Sequence, residues 1–383
     1  MNFRIPLFDL NYGRVEDGAV LKTLHSKWIS MGPNTKRLEK EFASFLNVKN
    51  SVAVTNCTAA LHLALKVLGI GEGDEVIVPS LTFVATVNSV RYVNAMPVFA
   101  DITSVDNFSI DPVDIEKKIT PKTKAIIVMH YGGFACDMDA IMKLAKRYNL
   151  SVIEDAAHSP NSDFKGKKLG TIGVIGCFSF FSNKNITCAE GGMIVTNDDA
   201  LAEKARLLRS HGMTSLSYDR ARGHSADYDV LELGYNYRID DIRAALALVQ
   251  LKKLEGDTIK RKKLREYYLE ELAKMNTIII PYKDNKFGSS NYIFPIVLKN
   301  SDFKKRDKVR QKLAKAGIQT SVHYPAAHRF TIYNELSTTL EKTDYVSDNV
   351  ITLPLYYSLK KKQIREIAEK LNRYLKEDKN EKD

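Results

Sequence analysis

Two side chains in this sequence could perform covalent and acid–base chemistry together. Lys184 lies in Phe178-Ser-Phe-Phe-Ser-Asn-Lys-Asn185, and a further apolar run, Met193-Ile-Val195, resumes after Glu190-Gly-Gly192. A lysine between two strands, beside glycines that permit close backbone approach, is poorly explained as solvated charge. Desolvation there lowers an amine's pKa and leaves the neutral nucleophile available to attack a carbonyl. Asp155 ends an apolar strand in Glu154-Asp-Ala-Ala-His158. A carboxylate at such a place needs a partner, and a protonated heteroaromatic nitrogen would supply one. Taken alone, Asp155 reads equally as a helix cap.

Further candidates fall between predicted strands and helices. In Asn56-Cys-Thr-Ala-Ala-Leu61, Thr58 reads as an N-cap, with the free amides of Thr58 and Ala59 directed at an anion; alone, the segment is a plain cap. Phe83, in Ser80-Leu-Thr-Phe-Val-Ala-Thr86, could stack on a flat cofactor or belong to the core. His158 could reach a ring substituent or be structural. Ser179 shares its side of an extended strand with Phe181 and Asn183, so a turn must intervene if it and Lys184 face one ligand. Pyridoxal phosphate (PLP) is a cofactor whose ring nitrogen takes an acidic partner and whose aldehyde bonds a lysine. Arg220 and Arg222, in the polar stretch His211–His224, could hold a diphosphate or sit on a solvated loop.

The elements that must position these residues alternate. Strands are expected at 51–55, 75–79, 97–100, 125–129 and 151–153, with helices at 58–67, 83–93 and 141–148. Continuous apolar strands separated by helices imply a parallel sheet covered on both faces, with ligands at the strands' carboxyl ends. A long helical region over 240–275 leads to a strand at 292–298 and helices at 304–316 and 361–375. These give an α/β large domain, 1–250 with its N-terminal arm, a smaller C-terminal α+β domain, 251–377, and a disordered tail, 378–383.

At 383 residues, 44% hydrophobic and 27% charged, the chain is an ordinary globular composition with room for two domains. No apolar stretch approaches a membrane span, and the first residues lack a signal-peptide core, so a cytoplasmic location is expected. Cys57, Cys136, Cys177 and Cys188 form no Cys-x-x-Cys pair and read as reduced thiols, with no metal site. The net charge of +11 is spread among acids, as in Lys36-Arg-Leu-Glu-Lys-Glu41. That favours a mixed surface or a phosphate-bearing substrate over nucleic acid, for which no reading helix or stacking motif is present.

Taken in order, these segments resemble the nucleotide-sugar aminotransferases of PLP fold type I, the DegT/StrS-like family. The likeness also covers Trp28-Ile-Ser-Met-Gly-Pro33, Gly234-Tyr-Asn-Tyr-Arg238 with Asp241-Ile242, His323-Tyr324 and Leu353-Pro-Leu355. It implies that Lys184 bonds the cofactor and shuttles the proton, while Asp155 keeps the pyridine nitrogen protonated. His158 would lie near the phenolic oxygen, Phe83 would stack on the ring, and Thr58, Ala59 and Ser179 would bind the phosphate. Asn236 would reach that phosphate from the partner of a homodimer. Trp28, Ser30, His323 and Tyr324 become substrate-side candidates beside Arg220 and Arg222. Where the family's phosphate loop has Gly before the Thr, this chain has Cys57, which leaves the backbone amides in place. One branch of the family carries histidine for the lysine and dehydrates its substrate; Lys184 argues against it.

The implied reaction transfers the amine of glutamate to a nucleotide-linked keto-deoxy sugar, within surface-polysaccharide, glycan or antibiotic-sugar biosynthesis. A transaminase of a free keto sugar or keto-cyclitol, and a PLP-binding regulatory protein without turnover, are the rival readings.

Overall fold

The computed structural model describes residues 3–214, 227–336 and 338–380. Helices α1 (Arg14–His25) and α2 (Pro33–Leu46) precede β1 (Asn50–Val54), α3 (Cys57–Val67), β2 (Glu75–Pro79), α4 (Val84–Tyr92) and β3 (Met96–Ala100). The hairpin β4–β5 (Ile102–Ser104, Asn107–Ile110) and α5 (Pro112–Lys118) lead to β6 (Thr123–Met129), α6 (Met138–Tyr148) and β7 (Ser151–Asp155). A second hairpin, β8–β9 (Asp163–Phe164, Lys167–Lys168), precedes β10 (Ile175–Ser179), β11 (Gly192–Thr196) and α7 (Asp199–Arg209). The C-terminal part comprises α8 (Asp241–Leu272), β12 (Ile278–Ile279), β13 (Phe294–Leu298) and α9 (Phe303–Lys315), then α10 (Glu341–Asn349), β14 (Val350–Leu353) and α11 (Lys361–Asn380).

The large sheet has the order β1-β11-β10-β7-β6-β2-β3. Only β11 runs against its neighbours; the contacts β10–β7, β7–β6, β6–β2 and β2–β3 are parallel. Both faces are covered, so β6 and β10 are buried almost end to end, which is why they read as unbroken apolar runs. A smaller antiparallel sheet, β12-β13-β14, forms the second packing centre with α11. The long helix α8 joins the two: Ala244, Ala247 and Leu254 pack with Phe178 and Met193, whereas Leu264, Tyr268 and Leu272 pack with Phe294 and Ile367. Ile5 of the N-terminal arm belongs to that second centre and forms a bridge to Ile318.

Two local expectations are corrected. The cap of α3 is Asn56, not Thr58: its Oδ1 accepts the Ala59 amide at 2.8 Å. The C-terminal helix, expected to end at residue 375, runs from Lys361 to Asn380. Glu377 secures its last turns, pairing with Arg373 at 2.7 Å and with Lys312 of α9 at 3.3 Å.

Asp241, at the start of α8, is a cap supplied to another helix. Helix α2 begins with Gly32 and Pro33, neither of which has a capping side chain. The buried Asp241 carboxylate accepts the amides of Gly32 (2.8 Å), Asn34 (2.9 Å) and Thr35 (3.0 Å), and the Thr35 hydroxyl (2.7 Å). Replacing it by Ala strands buried donors. Asp241→Ala should therefore lower unfolding stability by about 2–4 kcal/mol in urea melts; a loss below about 0.5 kcal/mol would remove this role.

Candidate active site

A cavity of about 360 Å³ opens at the carboxyl ends of the central strands, where a parallel sheet gathers its loops. Lys184, Asp155, His158, Ser179, Thr58, Phe83, His323 and Tyr324 all line it. The turn required between Ser179 and Lys184 is present: β10 stops at Ser179, and the Lys184 amide donates to the Phe181 carbonyl at 2.9 Å. Both side chains thereby face one space.

Lys184 Nζ lies 4.3 Å from the centroid of the Tyr292 ring. Burial lowers its pKa from 10.5 to about 8, against the opposing pull of Asp155 and Cys57. Asp155 accepts the Thr86 hydroxyl at 2.7 Å and the Ala157 amide at 3.2 Å. Burial nevertheless raises its pKa, so a cation brought against it would be strongly held. Glu154, the preceding residue, points to the opposite face of the sheet. There it accepts the amides of Gly170, Ile172 and Gly173 and faces His130 Nε2 at 2.9 Å.

The phosphate-cradle expectation is met in part. Thr58 lies in the first turn of α3 and lines the cavity, near Ser179, where the helix dipole and first-turn amides favour an anion. Ala59 is buried and does not line the cavity, and its amide is already bonded to Asn56. Phe83, at the N-cap of α4, keeps 56% of its surface exposed at the cavity wall and so offers a face for stacking. His323 is buried against Thr352 Oγ1 at 3.0 Å, and burial together with the Lys184 charge lowers its pKa to about 3.

Other expected residues are not brought to this chain's own cavity. Asn236 is exposed, in a backbone bridge with Ser210, outside the cavity wall. The Trp28 indole lies over Gly32 in a separate groove beside α8, and Ser30 is exposed. Arg220 and Arg222 lie outside the described residues. Tyr292 and Thr86 are site residues that pattern reading missed. Thr86, buried in the first turn of α4, reaches the site through its bond to Asp155. Tyr292 comes from just before β13, packed with Met129 and Tyr131, and nothing local marks it.

The residues fit PLP. They combine an amine of lowered pKa, a desolvated carboxylate, a helix N-terminus and an open aromatic face around one cavity. Asn183 Oδ1, in the cavity wall, also has no hydrogen-bond partner among the described residues. Such a fold and site define a PLP-dependent aminotransferase. The profile of the DegT/DnrJ/EryC1/StrS aminotransferase family matches residues 12–372, and the chain belongs to that family. It is a sugar aminotransferase.

Among its relatives, the spore coat polysaccharide biosynthesis protein SpsC of Bacillus subtilis is 36% identical over 375 residues, covering 96% of this chain and 95% of SpsC. PseC of Helicobacter pylori, an aminotransferase involved in the biosynthesis of pseudoaminic acid, superposes with a TM-score of 0.91 at 30% identity, covering 98% of this chain and 100% of PseC. The PLP form of Spr1654 from Streptococcus pneumoniae gives a TM-score of 0.89 at 30% identity, covering 98% of this chain and 99% of that one. No described helix is long and apolar enough to cross a membrane.

Holding Lys184 in this cavity costs stability with a defined pH dependence. Its pKa is depressed from 10.5 to about 8, so the unfolded chain binds the extra proton throughout that interval. Stability must then rise with pH across the interval, the penalty being complete below about 8. Lys184→Met should stabilise the cofactor-free protein by about 1–3 kcal/mol at neutral pH. Denaturant melts should show that gain shrinking as pH rises from about 8 toward 10.5. A gain independent of pH would mean that the amine is not desolvated.

Proposed function

We propose that this enzyme transfers the amine of glutamate to the keto group of a nucleotide-linked keto-deoxy sugar. The observation that carries the reading is Lys184, an amine of lowered pKa facing Asp155 and the N-terminus of α3 in one cavity. When bound, PLP supplies an aldehyde that takes up an amine and a ring that withdraws electrons from the attached carbon. Lys184 bonds the cofactor and moves the proton at its Nζ. Asp155 would pair with the ring nitrogen and keep it protonated, its carboxylate fixed by Thr86 and the Ala157 amide. Thr58, Ser179 and the first turn of α3 would hold the phosphate, while the Ala59 amide stays with Asn56. Phe83 would offer its exposed face to the ring, and His158 would lie beside it.

A nucleotide-linked substrate is supported by the net charge of +11 and by the sugar-biosynthetic roles of SpsC and PseC. Arg220 and Arg222 are the proposed diphosphate contacts, and His323 and Tyr324 border the sugar. The working unit is a homodimer, divided in each chain near residue 250 into a large and a small domain. Tyr228, Val230, Leu231 and Leu233, at 54%, 53%, 63% and 84% exposure, form an apolar strip beside Asn236 that a second copy would cover. Asn236, Trp28 and Ser30 would then act in the neighbour's site.

The substrate is tested by converting the enzyme to its pyridoxamine form with glutamate and offering nucleotide-linked and free keto sugars. Re-oxidation only by the nucleotide-linked compounds is expected; equal reaction with free sugars, or no loading by glutamate, would overturn the reading. Borohydride should fix cofactor mass to the peptide containing Lys184.

Shared sites make a separate prediction. Lys184→Ala and Asn236→Asp enzymes should each be nearly inactive, the second placing a carboxylate against the phosphate. Unfolded together and reassembled, about half the dimers are hybrids, each with one intact site, so activity should return to roughly a quarter of wild type. A mixture that stays inactive, while wild type survives the treatment, would return Asn236 to its own chain's site.

A further inference from the structure

Both ring nitrogens of His158 are engaged, and the directions of the contacts fix where its proton sits. The Gly132 amide approaches Nδ1 at 3.2 Å. A backbone N–H only donates, so Nδ1 presents its lone pair. Burial, reinforced by Lys184 and His323, holds the ring pKa well below the usual histidine range, so the ring is neutral and its one proton is on Nε2. Nε2 is 2.9 Å from Tyr324 Oη, and its N–H therefore donates to the phenol oxygen. The phenol proton must point elsewhere. Burial also raises the Tyr324 pKa well above the usual value, so that proton is retained.

The pair is held from several sides. The Ser290 hydroxyl donates to the His158 carbonyl, and the His158 ring lies 4.2 Å from that of Tyr292. The Tyr131 hydroxyl donates to the carbonyl of His323, the residue before Tyr324. Tyr324 lines the cavity with Lys184 and Asp155, its ring 6.0 Å from Phe83. Among the described residues its hydroxyl has His158 as its hydrogen-bond partner, and no acceptor takes its proton.

Resting on the reading that the cavity takes PLP and a keto sugar, we propose that Tyr324 is a fixed hydroxyl donor into the active site, with His158 as its positioning residue. The acceptor is an oxygen of the bound pair, either the phenolic oxygen of the cofactor or the oxygen at the sugar's reacting carbon. His158 thus acts through Tyr324, and the O–H direction is set before any ligand enters.

The tautomer is tested first, on cofactor-free protein, by nitrogen-15 NMR of the histidines. His158 should be neutral with its proton on Nε2 from pH 6 to 9; a proton on Nδ1, or an imidazolium, overturns the proposal. The acceptor is then identified with Tyr324→Phe. If it is the phenolic oxygen, the absorbance titration of the bound cofactor, without substrate, should move up by about one pH unit, because a donor that stabilises negative charge on that oxygen is lost. Lys184, Asp155, His323 and the Tyr131 and Tyr292 hydroxyls also face this corner and are unchanged in the variant. If the acceptor is the sugar oxygen, that titration stays put, the glutamate half-reaction is unaffected, and kcat/KM for the keto sugar falls roughly tenfold to a hundredfold. Neither shift nor fall would overturn the proposal.

His158→Leu should reproduce whichever change Tyr324→Phe shows, and His158→Gln, which retains an N–H donor, should restore most of it. A His158→Leu effect that adds fully to Tyr324→Phe would remove the positioning role. If borohydride fails to fix cofactor at Lys184, the functional reading fails while the NMR result still decides the tautomer.

Discussion

The structure depends on keeping a primary amine away from water without surrounding it with carboxylates. Lys184 has Tyr292 and Cys57 near it and Asp155 as its main counter-charge, and desolvation outweighs that attraction. A closer or second carboxylate would restore the amine's ordinary pKa and keep it protonated and unreactive. A wall without Asp155 would depress the pKa further. The Thr86 hydroxyl and the Ala157 amide occupy the Asp155 oxygens and hold the carboxylate at that compromise.

The sheet order is what allows the amine and the helix N-terminus to meet. Strand β11 returns antiparallel between β1 and β10, so the turn bearing Lys184 must come back to the sheet beside the start of α3. The return is tight at Gly192. A Cβ there would stand 2.5 Å from the Asn56 carbonyl carbon and 2.7 Å from the Cys57 nitrogen, both backbone atoms that cannot step aside. A side chain at this position would push the first turn of α3 away from the strand. The glycines after Lys184 therefore register the start of α3 against the amine.

Much of this was legible in the sequence, for particular reasons. Unbroken apolar strands such as 125–129 announce burial on both faces, and Asp155 at a strand's carboxyl end announces a place where ligands gather. The capping of α3 was harder to read, because Asn56 and Thr58 offer competing caps within one turn, and backbone geometry selected Asn56. Asp241 caps a helix more than two hundred residues earlier in the chain, a pairing that no local pattern encodes. Tyr292 was invisible for the same reason: an aromatic residue just before a strand looks like core until distant segments bring it beside Lys184. Glu154 and Asp155 were adjacent carboxylates in the sequence, and the two-residue period of the strand sends one to structure and the other to the cavity.

The histidines of the cavity complete the electrostatic logic. His158 and His323 are buried beside Lys184, and a positive amine nearby makes a second positive charge costly. His323 is lowered to about 3 and His158 well below its usual value, while Lys184 stays near 8. Of these three bases, only Lys184 changes its protonation near neutral pH. The neutral imidazoles therefore add no second positive charge beside the amine. The residues around the amine come from distant parts of the chain, Lys184 from the turn after β10 and Tyr292, His323 and Tyr324 from the C-terminal part, and must be held together for that division to hold. The continuous helix α8, packed into both cores, is the rigid element that keeps them so.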